Sequence, residues 1–199
     1  MDLVLLLVEI VSTITGLLYV ILMIRESRAC WLFGNISVAL LSYSCFHAGL
    51  YADMVLQWVY FVIGVVGYVQ WRPIGEENEI PRVRKATAST LVFSAVVGSL
   101  FWVLSYNVLG LVPGSRLPMV DSLLFAASVI ATWFQTKKYI ENWMVWIPVN
   151  VTYALLYSFR GLYLYAVLSI VFAVLSYRGW KQWKSTEHVS AVIIESVGQ

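Results

Sequence analysis

In two places the sequence puts a tryptophan four residues before an asparagine: Trp31 before Asn35, and Trp146 before Asn150. Four residues make about one helical turn, so on a helix each indole and its amide lie on one face. An indole face attracts cations and stacks on flat rings, while an amide hydrogen-bonds hydroxyls or a second amide. One such pair in each half of the chain predicts a binding site for a flat, cationic or polar heteroaromatic solute.

The two pairs also have a structural interpretation, because Asn can hydrogen-bond between membrane helices and Trp favours the membrane interface. Their occurrence in both halves favours the binding site. Gln57 is a further candidate, either as a pore-lining donor or as an amide satisfied by a neighbouring helix. Tyr153 follows Asn150 by three residues and either lines the cavity or faces lipid. The candidate substrate-binding residues are Trp31, Asn35, Gln57, Trp143, Trp146, Asn150 and Tyr153.

Residue patterns for other chemistry are not visible in the sequence. It contains no nucleophile–base pair, no metal cluster and no glycine-rich phosphate loop with a lysine. We therefore expect a protein that is not an enzyme, with no catalytic residue, no metal ligand and no cofactor. Trp71 and Trp183 are each followed by a basic residue, which predicts that they anchor the inner membrane interface.

The composition of the chain indicates that its solvent is lipid. Of the 199 residues, 60% are hydrophobic and only 12% are charged, against about 25% charged in soluble domains. Thirteen basic residues nearly balance eleven acidic ones, which argues against a nucleic-acid partner. The aromatic content of 15% argues against a disordered chain. The elements that position the candidate residues must therefore be membrane-spanning helices.

Hydropathy and the breaks between apolar runs predict seven spans, since a helix needs about 20 residues to cross a bilayer. The spans cover residues 3–23, 30–47, 52–71, 87–111, 118–134, 142–159 and 162–180.

The basic residues are distributed unequally between the two sides that seven spans define. Eleven of the thirteen fall on one side, and only Arg116 and Arg160 fall on the other. Cytoplasmic loops are enriched in Lys and Arg, so the N-terminus is expected outside and the C-terminus in the cytoplasm. The eleven are Arg25, Arg28, Arg72, Arg82, Arg84, Lys85, Lys137, Lys138, Arg178, Lys181 and Lys184.

The sequence repeats itself at an offset of 112 residues. Trp31 pairs with Trp143, the run 49–51 (Gly-Leu-Tyr) with 161–163, and 70–71 (Gln-Trp) with 182–183. Three spans reverse the chain direction, so one linker span between the repeats makes the two three-helix units parallel. The predicted organisation is a first repeat at 1–72, an inner loop and linker helix at 73–117, a second repeat at 118–184 and a cytoplasmic tail at 185–199.

These features resemble the Pnu family of bacterial vitamin transporters, which are relatives of the SWEET sugar transporters. The resemblance spans roughly residues 9–184. It rests on the runs 31–35 (Trp-Leu-Phe-Gly-Asn), 49–57 (Gly-Leu-Tyr-Ala-Asp to Gln) and 67–71 (Gly-Tyr-Val-Gln-Trp) in the first half. In the second half it rests on 141–150 (Glu-Asn-Trp-Met-Val-Trp-Ile-Pro-Val-Asn), 161–163 and 179–183 (Gly-Trp-Lys-Gln-Trp).

The resemblance implies an all-α membrane protein with a three-plus-one-plus-three, SWEET-like fold in the bacterial cytoplasmic membrane. It implies facilitated diffusion (uniport) of a water-soluble vitamin, with trapping by a cytosolic kinase. Nicotinamide riboside and thiamine, both cationic heteroaromatics, are the expected solutes. The lack of the long tails of many riboside transporters favours thiamine slightly. A homo-oligomer such as a trimer is compatible with the resemblance, and the partners are the vitamin and the bilayer, without nucleic acid.

Two alternatives remain open on the sequence. One is a SWEET-like carrier of sugars or small metabolites, which would be favoured if a binding scan showed binding of a hexose and of no vitamin. The other is a membrane sensor or accessory subunit that binds a solute without transporting it.

Overall fold

The computed structural model of the chain describes residues 3–47, 51–71, 83–110 and 117–197, with backbone alone at 51–53, 109 and 189–197. These residues form seven α-helices and no strand; an isolated β-bridge joins Arg84 to Tyr139. The number of helices and their approximate bounds confirm the predicted all-α, seven-helix class. The helices are α1 (Leu3–Ile24), α2 (Cys30–His47), α3 (Tyr51–Gln70), α4 (Ala88–Gly110), α5 (Pro118–Thr136), α6 (Glu141–Phe159) and α7 (Tyr163–Val197).

The helices differ in how well they suit a lipid surround. Among the described residues, four are long and apolar enough to cross a membrane: α1, most of α4, α5 and the first 26 residues of α7. The described apolar part of α3 is shorter, at Met54–Gln70. α2 and α6, which hold the Trp-Asn pairs, are not among these four helices.

The last helix is longer than the sequence predicts. α7 has 35 residues and runs to Val197, well beyond the span expected at 162–180. The stretch 185–197, expected as a tail, therefore continues the helix.

The chain divides into two compact units, Met1–Arg82 and Val83–Gln199. In the first unit, α1 packs on α2 and α2 on α3. In the second unit, α5 packs on α6 and α6 on α7, and α4 packs against α5. The predicted domain boundaries, which set α4 apart as a linker, remain a prediction.

Helix ends in the two units recur at the offset of 112. α1 ends at Ile24 and α5 at Thr136, while α3 begins at Tyr51 and α7 at Tyr163. α2 and α6 end at His47 and Phe159, which are again 112 apart. The sequence repeat is therefore also a repeat of local structure.

The turn between the first two helices of each repeat has the same unusual backbone. Glu26 and Lys138 are 112 residues apart, and both have a positive φ, at 55° and 53°. Positive φ is uncommon for residues other than glycine, so its recurrence at equivalent positions is informative. The residue after each donates its backbone N–H to a carbonyl five residues earlier at 3.0 Å, Ser27 to Leu22 and Tyr139 to Phe134.

A short segment before α4 adds a contact to the second unit. Arg84 and the turn that begins α6 exchange backbone hydrogen bonds, from Arg84 to the Lys138 carbonyl and from Ile140 to the Arg84 carbonyl, both at 3.1 Å. The Ala86 N–H donates to the Glu141 carboxylate at 3.0 Å. These bonds fix the start of α4 to the α5–α6 turn.

Candidate functional site

Trp31 and Trp143 lie in the core of their units. They are 2% and 1% exposed, respectively. Each indole lies against a glycine of the third helix: Trp31 occupies the space that a Cβ on Gly67 would take, and a Cβ on Gly179 would lie 2.7 Å from the Trp143 ring. Small residues let membrane helices approach closely. The two indoles therefore join α2 to α3 and α6 to α7 in the same way.

A second tryptophan completes each of these clusters. Trp71 meets Trp31 edge-on with ring centroids 5.6 Å apart, and Trp183 meets Trp143 at 5.3 Å. Trp71 is 1% exposed and Trp183 is 0% exposed. The expectation that these two residues anchor the membrane interface is therefore wrong, because the glycine opposite each first indole makes room for both rings inside the unit.

Trp146 differs from the other candidate tryptophans, because it is only half-buried. Its counterpart at the offset of 112 is Gly34, on which the ring of Tyr19 lies, 2.8 Å from where a Cβ would be. The counterpart of Tyr19 is Ala131. In the first unit the aromatic residue of this pair is on α1 and the small one on α2, whereas in the second unit the small residue is on α5 and the aromatic one on α6.

Asn150 lies one turn after Trp146 on α6, and its amide is tied to two neighbours. Its Nδ2 donates to the Trp146 carbonyl at 2.9 Å and to the Ser176 hydroxyl on α7 at 3.5 Å. The residue is 9% exposed. The structure therefore brings Trp146 and Asn150 together on one face of α6, as their spacing predicts.

Asn35 lies against the equivalent position of the third helix in the first unit. Its Oδ1 occupies the space that a Cβ on Gly64 would take, and Gly64 plus 112 is Ser176. Asn35 and Asn150 therefore face matching positions, although they are 115 residues apart. Among the described residues, Asn35 makes no hydrogen bond. Gly64 therefore leaves space for the Asn35 amide but offers it no hydrogen-bonding group.

Two further candidates lie on α6 and α3. Tyr153 is half-buried on α6 and stacks on Tyr157, with ring centroids 5.8 Å apart and planes at 16°. Gln57 is half-buried on α3. Its counterpart, Ser169, is buried and donates to the Tyr165 carbonyl at 2.9 Å. In the second unit the candidates at positions 146, 150 and 153 therefore form a stripe on α6, which begins one turn after the buried Trp143.

Sequence reasoning missed Gly64 and Ser176, the residues that face the two candidate amides. Neither belongs to a motif by itself. The sequence signal that could have found them is that the two positions are equivalent in the repeat, 112 residues apart.

A surface groove of about 480 Å³ between α6 and α7 is separate from this stripe. Apolar side chains such as Val151, Leu155, Ile170 and Val174 line it. It contains none of the candidate residues, so it has no amide or indole with which to recognise a polar solute.

Comparisons with known proteins agree with one another. A family model described as nicotinamide mononucleotide transporter matches residues 6–185. The nicotinamide riboside transporter PnuC of Escherichia coli (strain K12) is 26% identical, over 88% of this chain and 84% of that protein. The PnuC protein of Neisseria mucosa is 33% identical, over 71% of this chain and 56% of that relative. The crystal structure of the vitamin B3 transporter PnuC matches with a TM-score of 0.71 at 23% identity, over 90% of this chain and 81% of that one, which shows a shared fold.

Proposed function

Since the chain belongs to the nicotinamide mononucleotide transporter family, we propose that it carries nicotinamide riboside across a bacterial cytoplasmic membrane by facilitated diffusion. Membership makes it a multi-pass membrane transporter of the vitamin class and not an enzyme, and it confirms the Pnu-type resemblance. Nicotinamide riboside comes before thiamine because the relatives in Escherichia coli and Neisseria mucosa are both named for it.

The pairing of Trp146 with Asn150 carries the proposal for the site. The indole is half-buried and the amide lies one turn further along the same face of α6. Nicotinamide riboside has a flat, positively charged pyridinium ring, a carboxamide and ribose hydroxyls. An indole stabilises such a ring by cation–π attraction and stacking, and an amide hydrogen-bonds the polar groups. The residue types therefore match the solute's two kinds of surface.

Downhill transport is supported by the character of the candidate residues. All seven are uncharged: Trp31, Asn35, Gln57, Trp143, Trp146, Asn150 and Tyr153. A neutral site recognises the solute's own charge and rings without a carboxylate that would bind a coupling ion. We propose that the solute moves down its concentration gradient and that a cytosolic kinase then phosphorylates and traps it.

The orientation proposed for the chain rests on its basic residues. Eleven of the thirteen fall on the one side that the predicted spans assign to them. Positive charge marks the cytoplasmic side, so the N-terminus is placed outside and the C-terminus inside.

A thermal-shift screen in detergent tests the solute directly. The screen compares nicotinamide riboside, thiamine, riboflavin and glucose. A ligand that binds only the folded protein stabilises it, by about 2.7 kcal/mol at a hundredfold excess over Kd. We expect nicotinamide riboside to give the largest shift. A shift with thiamine alone would identify thiamine as the solute in place of nicotinamide riboside. A shift with glucose alone would favour the sugar carrier. Binding in detergent without transport into liposomes would favour a sensor.

A further inference from the structure

The hydrogen bonds around Asn150 determine which way its amide points. The Ser176 hydroxyl donates its single proton to the Phe172 carbonyl at 2.8 Å, so towards Asn150 it can only accept. The Trp146 carbonyl, at 2.9 Å, is also only an acceptor. Both neighbours therefore require the amino group of Asn150, and a flipped amide would set its oxygen against two other oxygens.

This arrangement leaves one atom of the amide for a ligand. The Nδ2 group has two protons, and the two acceptors use both of them. The Oδ1 atom accepts no hydrogen bond from the described part of the chain and is not among its fully buried polar atoms without a partner, so it remains accessible. A carbonyl oxygen in an apolar surround is costly to leave without a donor. A solute N–H or O–H would satisfy it.

The first unit lacks the residue that imposes this polarity. Gly64 stands where the second unit has Ser176, and it offers Asn35 no hydroxyl. The Asn35 amide can therefore turn either its oxygen or its nitrogen towards a ligand. Asn35 thus has neither of the two acceptors that hold the Asn150 amide in the second unit.

We propose that Ser176 is a specificity-determining positioning residue, which fixes the Asn150 amide so that the site selects solutes with a hydrogen-bond donor at that point. The inference rests on the proposed function and deepens it. Nicotinamide riboside has such donors in its carboxamide and its ribose hydroxyls. If an analogue lacks the relevant donor, the Asn150 oxygen is left without a hydrogen bond. If an acceptor replaces the donor, the two oxygens repel each other.

The test measures affinity in detergent by titration calorimetry. The ligands are nicotinamide riboside and its 2′-, 3′- and 5′-deoxy analogues, each of which lacks one hydroxyl donor, together with an analogue whose carboxamide is replaced by a methyl ketone, which lacks the N–H donors and keeps the charge. For the wild-type protein, one analogue is expected to bind about tenfold more weakly than nicotinamide riboside, the loss of about one good hydrogen bond. In Ser176→Ala that discrimination should fall to about twofold, because the Nδ2 proton that Ser176 accepted is then free to face the ligand while the Trp146 carbonyl still holds the other proton.

Matched variants separate positioning from folding. Ser176→Thr retains the hydroxyl and should retain the tenfold discrimination. Ser176→Cys keeps the shape of the side chain but replaces the hydroxyl by a slightly larger, weakly hydrogen-bonding thiol. It should lose the discrimination as Ser176→Ala does, and it replaces Ser176→Ala in the test if that variant does not fold.

Two results would overturn the inference. One is unchanged discrimination in Ser176→Ala and Ser176→Cys, including the case in which all ligands weaken equally, which would reduce Ser176 to a packing residue. The other is a wild-type protein that binds every analogue as well as nicotinamide riboside. A wild-type protein that binds no riboside would instead refute the proposed function, and the inference with it.

Discussion

At the scale of single residues, burial separates the tryptophans of the second unit into two roles. Trp143 is 1% exposed and lies between Gly179 and Trp183. Trp146 is half-buried. Substitution of Trp143 should therefore act on stability, and substitution of Trp146 on solute binding.

Trp146→Ala is expected to lower the affinity for nicotinamide riboside at least tenfold, because it removes the stacking surface beside Asn150. Trp143→Ala is the matched control. It should lower the stability by about 3–5 kcal/mol, the usual cost of deleting a large buried ring, and so more than Trp146→Ala does. Binding titration and thermal unfolding of both variants check this. Wild-type affinity in Trp146→Ala would remove that residue from the site.

Gly64→Ala tests whether Asn35 contributes to the site. The new Cβ would take the space that the Asn35 amide now occupies, so the amide must move. We expect a several-fold loss of solute affinity, of the order that one displaced hydrogen bond causes. Gly98→Ala is the control, because its Cβ would meet Ile130 at an ordinary 3.4 Å. Equal affinities in the two variants would show that Asn35 does not contact the solute.

At the scale of the elements, the helices and their repeat were predictable, whereas contacts between helices were not. The offset of 112 that aligns Trp31 with Trp143 also aligns helix ends and the positive φ of Glu26 and Lys138. The burial of Trp71 was not predictable, because a Trp before a basic residue has the same local pattern at a membrane interface and in a core. What decides is Gly67, which lies opposite Trp31 on the neighbouring helix.

The contact between Asn150 and Ser176 escaped prediction for the same reason. The two residues are 26 positions apart on different helices. The spacing of Trp146 and Asn150 gave the face of α6 correctly, since one helix alone determines it. Which residue of α7 faces that amide depends on how the two helices pack.

Gly67→Ala and Gly179→Ala should destabilise the two units in the same way. Each new Cβ would collide with a buried indole, Trp31 or Trp143. Overpacking of this kind costs about 1–3 kcal/mol. Thermal unfolding in detergent measures it, with Gly98→Ala expected to unfold at or above the wild-type temperature, since Ala favours a helix over Gly. If the three variants unfold at one temperature, the indole–glycine contacts do not stabilise the helix pairs.

At the scale of the whole molecule, two ion pairs in the second unit join neighbouring helices. In the second unit, Lys85 pairs with Glu187 at 3.5 Å, and Arg160 pairs with Asp121 at 3.6 Å. The first pair joins the start of α4 to the late part of α7, and the second joins the start of α5 to the end of α6. The two pairs therefore lie at opposite ends of this unit, as the assignment of Lys85 and Arg160 to opposite sides requires.

Cysteine labelling tests this orientation. In a background with Cys30→Ala and Cys45→Ala, a membrane-impermeant maleimide should label Arg160→Cys in intact cells. It should label Lys85→Cys only after permeabilisation, because eleven of thirteen basic residues mark that side as cytoplasmic. The reverse pattern would invert the topology.

The central claim is that this membrane protein lets nicotinamide riboside cross down its gradient by way of the α6 stripe. Uptake of radiolabelled nicotinamide riboside into liposomes that contain the purified protein tests it most directly. We expect entry until the inside and outside concentrations are equal, no effect of an imposed sodium or proton gradient, and uptake at least tenfold slower with Trp146→Ala. Accumulation above the outside concentration without a trapping kinase, or no entry at all, would contradict the account.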